Sequence, residues 1–239
     1  MNLLELLVNR LYNDCKKHFN NKGKRMSEFI KPVDRRIESY ISQLLEKYND
    51  NVLAEMEKFA EQEKFPVVGR AVGSMLQVLA RSVNAKRIFE FGSGFGYSAY
   101  WFTNTLAEGG KVICCDHLEQ NVKRAKKYLS EAGKWEKVEY HFGLPLEVFA
   151  GTSGDFDIIY NDGEKQEYPE VWQAVKDRIR PGGLYICDNV LWAGRVLDTE
   201  MSESCTSAIR ESTSMIMNDS NYDFFINAIH DGVLIAQRK

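Results

Sequence analysis

Apolar residues recur three to four positions apart in the first part of the chain. Leu4, Leu7, Leu11 and Tyr12 predict a helix over 3–18, and Ile37, Ile41, Leu44 and Leu45 form one face of a second over about 33–48. A third helix is expected over about 51–63. Phe65-Pro66 breaks the pattern, because a residue before proline is pushed out of helical geometry. A fourth helix over about 70–83 leads into a different rhythm. From residue 87, short apolar runs at about 87–91, 111–115, 137–142, 156–160 and 184–187 alternate with helical segments at about 97–107, 119–132, 145–150 and 167–179. Apolar strands separated by helices imply a mainly parallel sheet covered on both faces. A helix over about 203–217 precedes two more apolar runs, Tyr222 to Ile229 and Val233 to Gln237, joined through Asp231-Gly232. Asp-Gly between apolar runs is a hairpin signal, so an antiparallel pair is expected to close the sheet. The predicted class is α/β, with a helical extension over 1–65 and the main domain over 66–239.

Composition adds limits. A chain of 239 residues with 44% hydrophobic content supports a packed core. A net charge of -3 gives no electrostatic case for DNA or a membrane surface. No apolar run reaches the roughly 18 residues of a transmembrane helix. The opening Met1 to Leu7 carries an acidic residue and lacks a basic n-region, so it reads as an amphipathic helix, not a signal peptide. Cys15, Cys114, Cys115, Cys187 and Cys205 show no zinc-ligand spacing, which favours a reduced, cytoplasmic protein. The basic stretch Lys16 to Arg25 reads as a solvated loop or as a contact for a phosphate-bearing substrate. His18, His117, His141 and His230 have no ligand spacing and are assigned no chemistry.

The most informative stretch runs from Arg87 to Ser98. A short strand ends at Phe91, and Gly92, Gly94 and Gly96 follow before a helix starts near Tyr97. A glycine-rich turn between strand and helix lets a ligand approach the backbone, and the free N–H groups favour its polar or anionic parts. Glu90 stands at the carboxyl end of the strand, where open α/β sheets bind ligands. The spacing differs from the G-x-G-x-x-G of dinucleotide-binding proteins, since the third glycine comes one residue early. Asp116 ends the second strand, where an acid can accept hydrogen bonds from ribose hydroxyls; the alternative is a helix cap.

Three segments together carry a resemblance: Glu90 to Ser98, Asn161 to Lys165 and Pro181 to Trp192. With them, the chain from about Val67 to Lys239 resembles the cation-dependent O-methyltransferases of the caffeoyl-CoA O-methyltransferase type, relatives of catechol O-methyltransferase. The resemblance implies a Rossmann-like, seven-stranded class I methyltransferase fold and S-adenosylmethionine (SAM) as methyl donor. It implies cofactor contacts from Val68, Glu90, Gly92, Ser93, Gly94, Ser98, Asp116, Asp162 and Glu164, and adenine contacts from the turn Gly143-Leu144-Pro145. Pro145 departs from the pattern, because it has no backbone N–H to offer the base. A homodimer is implied as well, and in relatives the N-terminal region contributes to a substrate lid.

The second and third segments each follow an apolar strand. In a parallel sheet, Asp162, Asp188 and Asn189 therefore share the rim of the glycine turn. Two carboxylates and an amide oxygen make a hard, all-oxygen site suited to Mg²⁺, with Mn²⁺ or Ca²⁺ as alternatives. Lys165 is, by resemblance, the general base, beside Asp162 in the catalytic set; otherwise it is a lysine paired with Glu164 or Glu167. Trp192 either lines a substrate pocket or packs in the core. The segment from Trp192 to Thr206 is expected as a mobile loop over the site. The expected reaction is methyl transfer from SAM to a vicinal dihydroxy aromatic small molecule. Competing readings are a tRNA hydroxyuridine methyltransferase with tRNA as partner, an NAD(P)-dependent oxidoreductase, and a non-catalytic SAM-binding module.

Overall fold

The computed structural model describes residue 30 and residues 32–239. The helix expected over 3–18 and the basic stretch Lys16 to Arg25 lie outside the described residues. Helix α1 (Arg35–Leu44) starts where the Asp34 carboxylate accepts the Arg36 N–H, and a 3₁₀ turn (Leu45–Tyr48) extends it. Helices α2 (Asn51–Glu63) and α3 (Gly69–Ser82) follow. Asp50 caps α2 by accepting the Leu53 N–H at 2.8 Å.

The alternating region folds as β1 (Arg87–Phe91), α4 (Tyr97–Thr103), β2 (Lys111–Asp116), α5 (Glu119–Glu131), β3 (Val138–Phe142), α6 (Pro145–Gly151), β4 (Phe156–Asn161), α7 (Tyr168–Val175) and β5 (Ile179–Cys187). Helix α8 (Ser204–Met217) and the strands β6 (Tyr222–Asn227) and β7 (Val233–Arg238) complete it. One seven-stranded sheet has the order β3-β2-β1-β4-β5-β7-β6. The first five of these strands are parallel, and β7 enters antiparallel between β5 and β6. The predicted α/β class and its closing antiparallel pair are both present.

Strand alternation sends successive side chains to opposite faces. Ile88 joins the core beneath α2 to α5, with Leu53, Met56, Leu76, Trp101 and Leu129. Phe89 and Phe91 face the other layer, with Phe149, Phe156, Trp172 and Ile209. There Phe89 meets the rings of Phe149 and Phe156 edge-on, at 5.0 and 5.7 Å. The two cores clamp the sheet and leave its carboxyl-end rim free for chemistry.

Two boundaries differ from expectation for identifiable reasons, and one apolar face lacks cover. Helix α4 stops at Thr103, not near 107; the Thr103 hydroxyl donates to the Tyr100 carbonyl and that of Thr105 to Gln77, so side chains compete with the helix ladder. Strand β5 starts at Ile179, five residues early. Asp157 accepts the Lys86 and Arg87 N–H groups and pairs with Arg180 at 2.5 Å, which ties the strand starts together. Gly183 makes that possible, since a Cβ there would stand 2.9 Å from the Asp157 carbonyl oxygen. Finally, the apolar face of α1 is not covered by the described residues: Ile37 and Leu44 are more than half exposed. Among the described residues, no helix is long and apolar enough to cross a membrane.

Candidate active site

The glycine turn leaves β1 in left-handed backbone, with φ of 77° at Gly92, 53° at Gly94 and 86° at Gly96. Gly92 also lies against the end of β4; a Cβ there would sit 2.6 Å from the Asp162 carbonyl oxygen. This contact joins the glycine turn to the segment carrying Asp162. Val68, Gly92, Ser93, Gly94, Ser98 and Asp162 line one cleft. Ser93 is held from both sides, its N–H donating to the Cys115 carbonyl and its hydroxyl to the Glu90 carbonyl.

Glu90 is fully buried behind Ser98, which lines this cleft. Burial pushes its carboxyl up to about 7, against hydrogen bonds from Ser98, Ser93 and Cys114 that favour the charge. The Ser98 hydroxyl donates to Glu90 Oε1 and the Cys114 thiol faces Oε2 at 3.4 Å. A buried carboxylate with only light neutral donors is suited to accept ligand hydroxyls.

Asp116 is buried too, and burial raises its pKa against its backbone bonds. One oxygen accepts the Leu118 N–H at 2.7 Å and the Asn121 amide at 3.2 Å, and the other accepts the Gly94 N–H at 3.1 Å. The alternative capping role is therefore realised in part, as a turn leading into α5, while Leu118 itself holds the N-cap position. The Gly143 N–H donates to the Asp116 carbonyl, which brings the Gly143-Leu144-Pro145 turn beside the same strand end. Pro145 occupies the first helical position of α6, where its missing N–H costs the helix nothing. Leu144 is half-buried beside it.

Asp162 follows β4 and accepts Lys165 Nζ at 2.8 Å, while Lys165 also donates to the Gly163 carbonyl at 3.1 Å. Burial raises the Asp162 pKa against the pull of Lys165. Burial alone would lower the Lys165 pKa, but the Asp162 charge and hydrogen bond, together with the Asp188 charge, outweigh it and favour the protonated ammonium. Lys165 is thus paired with Asp162, not with Glu164 or Glu167. Glu164 is half-buried at the head of the 3₁₀ turn Lys165–Glu167.

Asp188 follows β5 and is fully buried. Its backbone N–H donates to the Asn161 carbonyl, which sets the ends of β4 and β5 side by side. Oδ1 accepts the Asn189 N–H at 2.8 Å, whereas Oδ2 has no hydrogen-bond partner among the described residues. Asn189 itself is left-handed, with φ of 59°. A buried carboxylate oxygen without a hydrogen bond is costly unless a counter-charge or a ligand meets it. The carboxylates of Asp188 and Asp162 and the amide of Asn189, which follow neighbouring strand ends, are donor types that suit a hard divalent cation. The cluster is not preassembled: among the described residues, no three His, Cys, Asp or Glu side chains already form a metal-holding group.

Of the two readings of Trp192, the structure describes the packed one. It packs on the second core at its edge, remains half-buried, and leaves its indole N–H unpaired among the described residues. The segment beyond it is hydrogen-bonded to α8. Arg210 on α8 donates to the carbonyls of Val196, Met201, Arg195 and Asp198, so one guanidinium fastens the whole loop.

His230, to which the sequence assigns no chemistry, lies beside Asp188 in the fold. Its Nδ1 lies 3.6 Å from Asp188 Oδ2. Asp188 holds the imidazole pKa up despite burial, which opposes its charge. The signal lay in the hairpin: β7 pairs antiparallel with β5, Leu234 opposite Cys187, so the turn before β7 must reach the residue after Cys187.

The O-methyltransferase family model matches residues 43–239. The chain belongs to the O-methyltransferase family. A catechol O-methyltransferase of Niastella koreensis is 30% identical over 210 residues, covering 84% of this chain and 95% of its own. An O-methyltransferase from Streptomyces achromogenes involved in tomaymycin synthesis, solved with SAM, has a TM-score of 0.78 at 26% identity, covering 85% of this chain and 96% of that one. A Bacillus cereus O-methyltransferase solved with S-adenosylhomocysteine (SAH) has a TM-score of 0.77 at 25% identity, over 84% of this chain and 97% of that one. This membership bears out the resemblance read from the three segments and makes the chain a SAM-dependent O-methyltransferase. It sets aside the oxidoreductase reading.

Proposed function

We propose that this O-methyltransferase moves the methyl group of SAM to one oxygen of a vicinal dihydroxy aromatic small molecule, with a divalent cation held by Asp162, Asp188 and Asn189. The observation that carries the reading is the buried Asp188 Oδ2, without a hydrogen-bond partner among the described residues, on the same rim as the glycine cleft. The catechol O-methyltransferase relative supports the acceptor class.

Methyl transfer from a sulfonium is an in-line displacement, and a neutral phenol, with a pKa near about 10, is a poor nucleophile. When bound, the cation would acidify one phenolic oxygen, hold its neighbour, and offset the carboxylate charge that keeps Lys165 protonated. Lys165, as the amine, takes the phenol proton at Nζ. Asp116 accepts the ribose hydroxyls, Glu90 accepts a hydrogen bond from the donor, and the glycine turn brings backbone close to it. Trp192 lines the acceptor ring at the rim. Ile30 reaches this rim, its N–H donating to the Ala193 carbonyl at 3.2 Å, in keeping with an N-terminal lid.

A methyl-transfer assay with catechol, caffeoyl-CoA, and hydroxylated or unmodified tRNA tests the reading. Catechol should be methylated, EDTA should abolish the reaction, and excess Mg²⁺ should restore it. Full activity in EDTA would remove the cation, and methylation confined to tRNA would replace the acceptor.

A further inference from the structure

We propose that His230 supplies an imidazole nitrogen to the cation site, as a fourth protein donor beside Asp162, Asp188 and Asn189. It would tilt the site toward nitrogen-loving divalent ions such as Co²⁺, Ni²⁺ or Zn²⁺ and away from Mg²⁺. The inference rests on the cation reading above and goes beyond its all-oxygen donor set.

The separation of His230 Nδ1 and Asp188 Oδ2 is 3.6 Å. That is beyond the roughly 2.7–3.2 Å of an N–H···O hydrogen bond. Two donors each about 2.1 Å from one ion stand about 3.0 Å apart in octahedral geometry and about 3.4 Å in tetrahedral geometry. The pair is thus a few tenths of an ångström wider than an ion would set it. Asp188 Oδ2 is a buried carboxylate oxygen without a hydrogen-bond partner among the described residues, so the imidazole faces an atom that can take a ligand.

The turn that carries His230 is built to stay there. The Val190 N–H donates to the Gly232 carbonyl at 3.0 Å and the Leu191 N–H to the Asp231 carbonyl at 2.9 Å. The Ala193 N–H donates to Asp231 Oδ1 at 2.6 Å. Gly232 approaches Leu191 so closely that a Cβ would lie 2.3 Å from its Cγ. Three hydrogen bonds and one close approach therefore clamp the hairpin turn to the loop that carries Asn189. His230 takes a left-handed backbone, φ 56°, within this clamp. With Nδ1 toward Asp188, the proton of a neutral, metal-binding ring belongs on Nε2, on a side chain that is partly open to solvent.

Oxygen donors suit Mg²⁺ and Ca²⁺, whereas imidazole adds affinity for the later first-row ions. Asp162 keeps Lys165 on one oxygen at 2.8 Å, so Asp188 and His230 are the two donors already facing each other.

Calorimetric titration of the full chain with Co²⁺ and with Mg²⁺, in the presence of SAH, tests this in wild type and His230→Gln. Losing a ligand should cost at least what losing an outer-sphere partner costs, on the order of 10- to 100-fold in Co²⁺ affinity. Mg²⁺ affinity should change by less than about threefold, because Mg²⁺ gains little from imidazole. Pulsed electron paramagnetic resonance of the wild-type protein with Mn²⁺ and ¹⁵N-labelled histidine reads the same bond without any substitution, and a ¹⁵N coupling is expected. Equal loss of both ions would make His230 a positioning residue for Asp188 and overturn the proposal. So would unchanged Co²⁺ affinity or an absent ¹⁵N coupling. Failure of every cation to bind would remove the cation reading as well, whereas binding indifferent to His230 would remove this inference alone.

Discussion

Asp188→Ala abolishes turnover and leaves SAH binding intact: that is the largest effect expected of any single substitution at the rim. Charge stabilisation by a bound cation contributes several kcal/mol to the barrier, so kcat for catechol should fall on the order of 10³-fold. The fold should tolerate the change. Alanine deletes a buried carboxylate whose Oδ2 has no hydrogen-bond partner among the described residues and whose Oδ1 serves only the adjacent Asn189 N–H. The donor cleft is built from the glycine turn, Glu90 and Asp116, none of which hydrogen-bonds the Asp188 side chain. Initial-rate kinetics and SAH calorimetry separate the two outcomes. Loss of SAH binding together with turnover would show that the rim does not divide into donor and cation halves.

Glu90→Gln should act in opposite directions on stability and on binding. The carboxyl of Glu90 is raised from 4.5 to about 7 by burial. A raised acid favours the fold in its neutral form, so its contribution is complete below pH 4.5 and fades as pH climbs through 7. The gap corresponds to roughly 3 kcal/mol at most of destabilisation in the ligand-free protein at pH 8. Glutamine stays neutral at every pH. The ligand-free variant should therefore melt higher than wild type at pH 8 and close to it at pH 4.5. Its SAM affinity should fall on the order of 10- to 100-fold, because hydrogen bonds to a charged acceptor contribute about 1.5–3 kcal/mol. Thermal melts at the two pH values and SAM titration at pH 8 check both halves. A variant less stable than wild type at pH 8 would contradict the assigned cause of the shift.

Glu90 also marks what the sequence reveals and what it hides. Its place after an apolar strand and before Gly92-Ser93-Gly94 was legible, because strand period and glycine geometry are local properties. The same held for Asp162 and Asp188, each directly behind an apolar run. Residues whose place depends on distant pairing were not legible. His230 reaches Asp188 only because β7 inserts antiparallel beside β5, a contact spanning some forty positions of chain. Arg210 fastens the loop after Trp192 from a different helix, so polar composition alone suggested a freedom that its four carbonyl contacts remove. The early start of β5 depends on Asp157 and Arg180 meeting across strands. In α1, periodicity marked an apolar face correctly but said nothing about cover, and Ile37 and Leu44 stay exposed. Phe65, at the end of the expected extension, packs edge-on against Phe95 at 5.0 Å, another contact between residues far apart in the chain.

The most direct test is diffraction from crystals grown with SAH and Mn²⁺, recorded where manganese scatters anomalously. One anomalous peak should appear bonded to oxygens of Asp162, Asp188 and Asn189, with the SAH sulfur in the neighbouring glycine cleft. A map with SAH in place but no peak there, or with both carboxylates turned from the sulfur, would contradict the account.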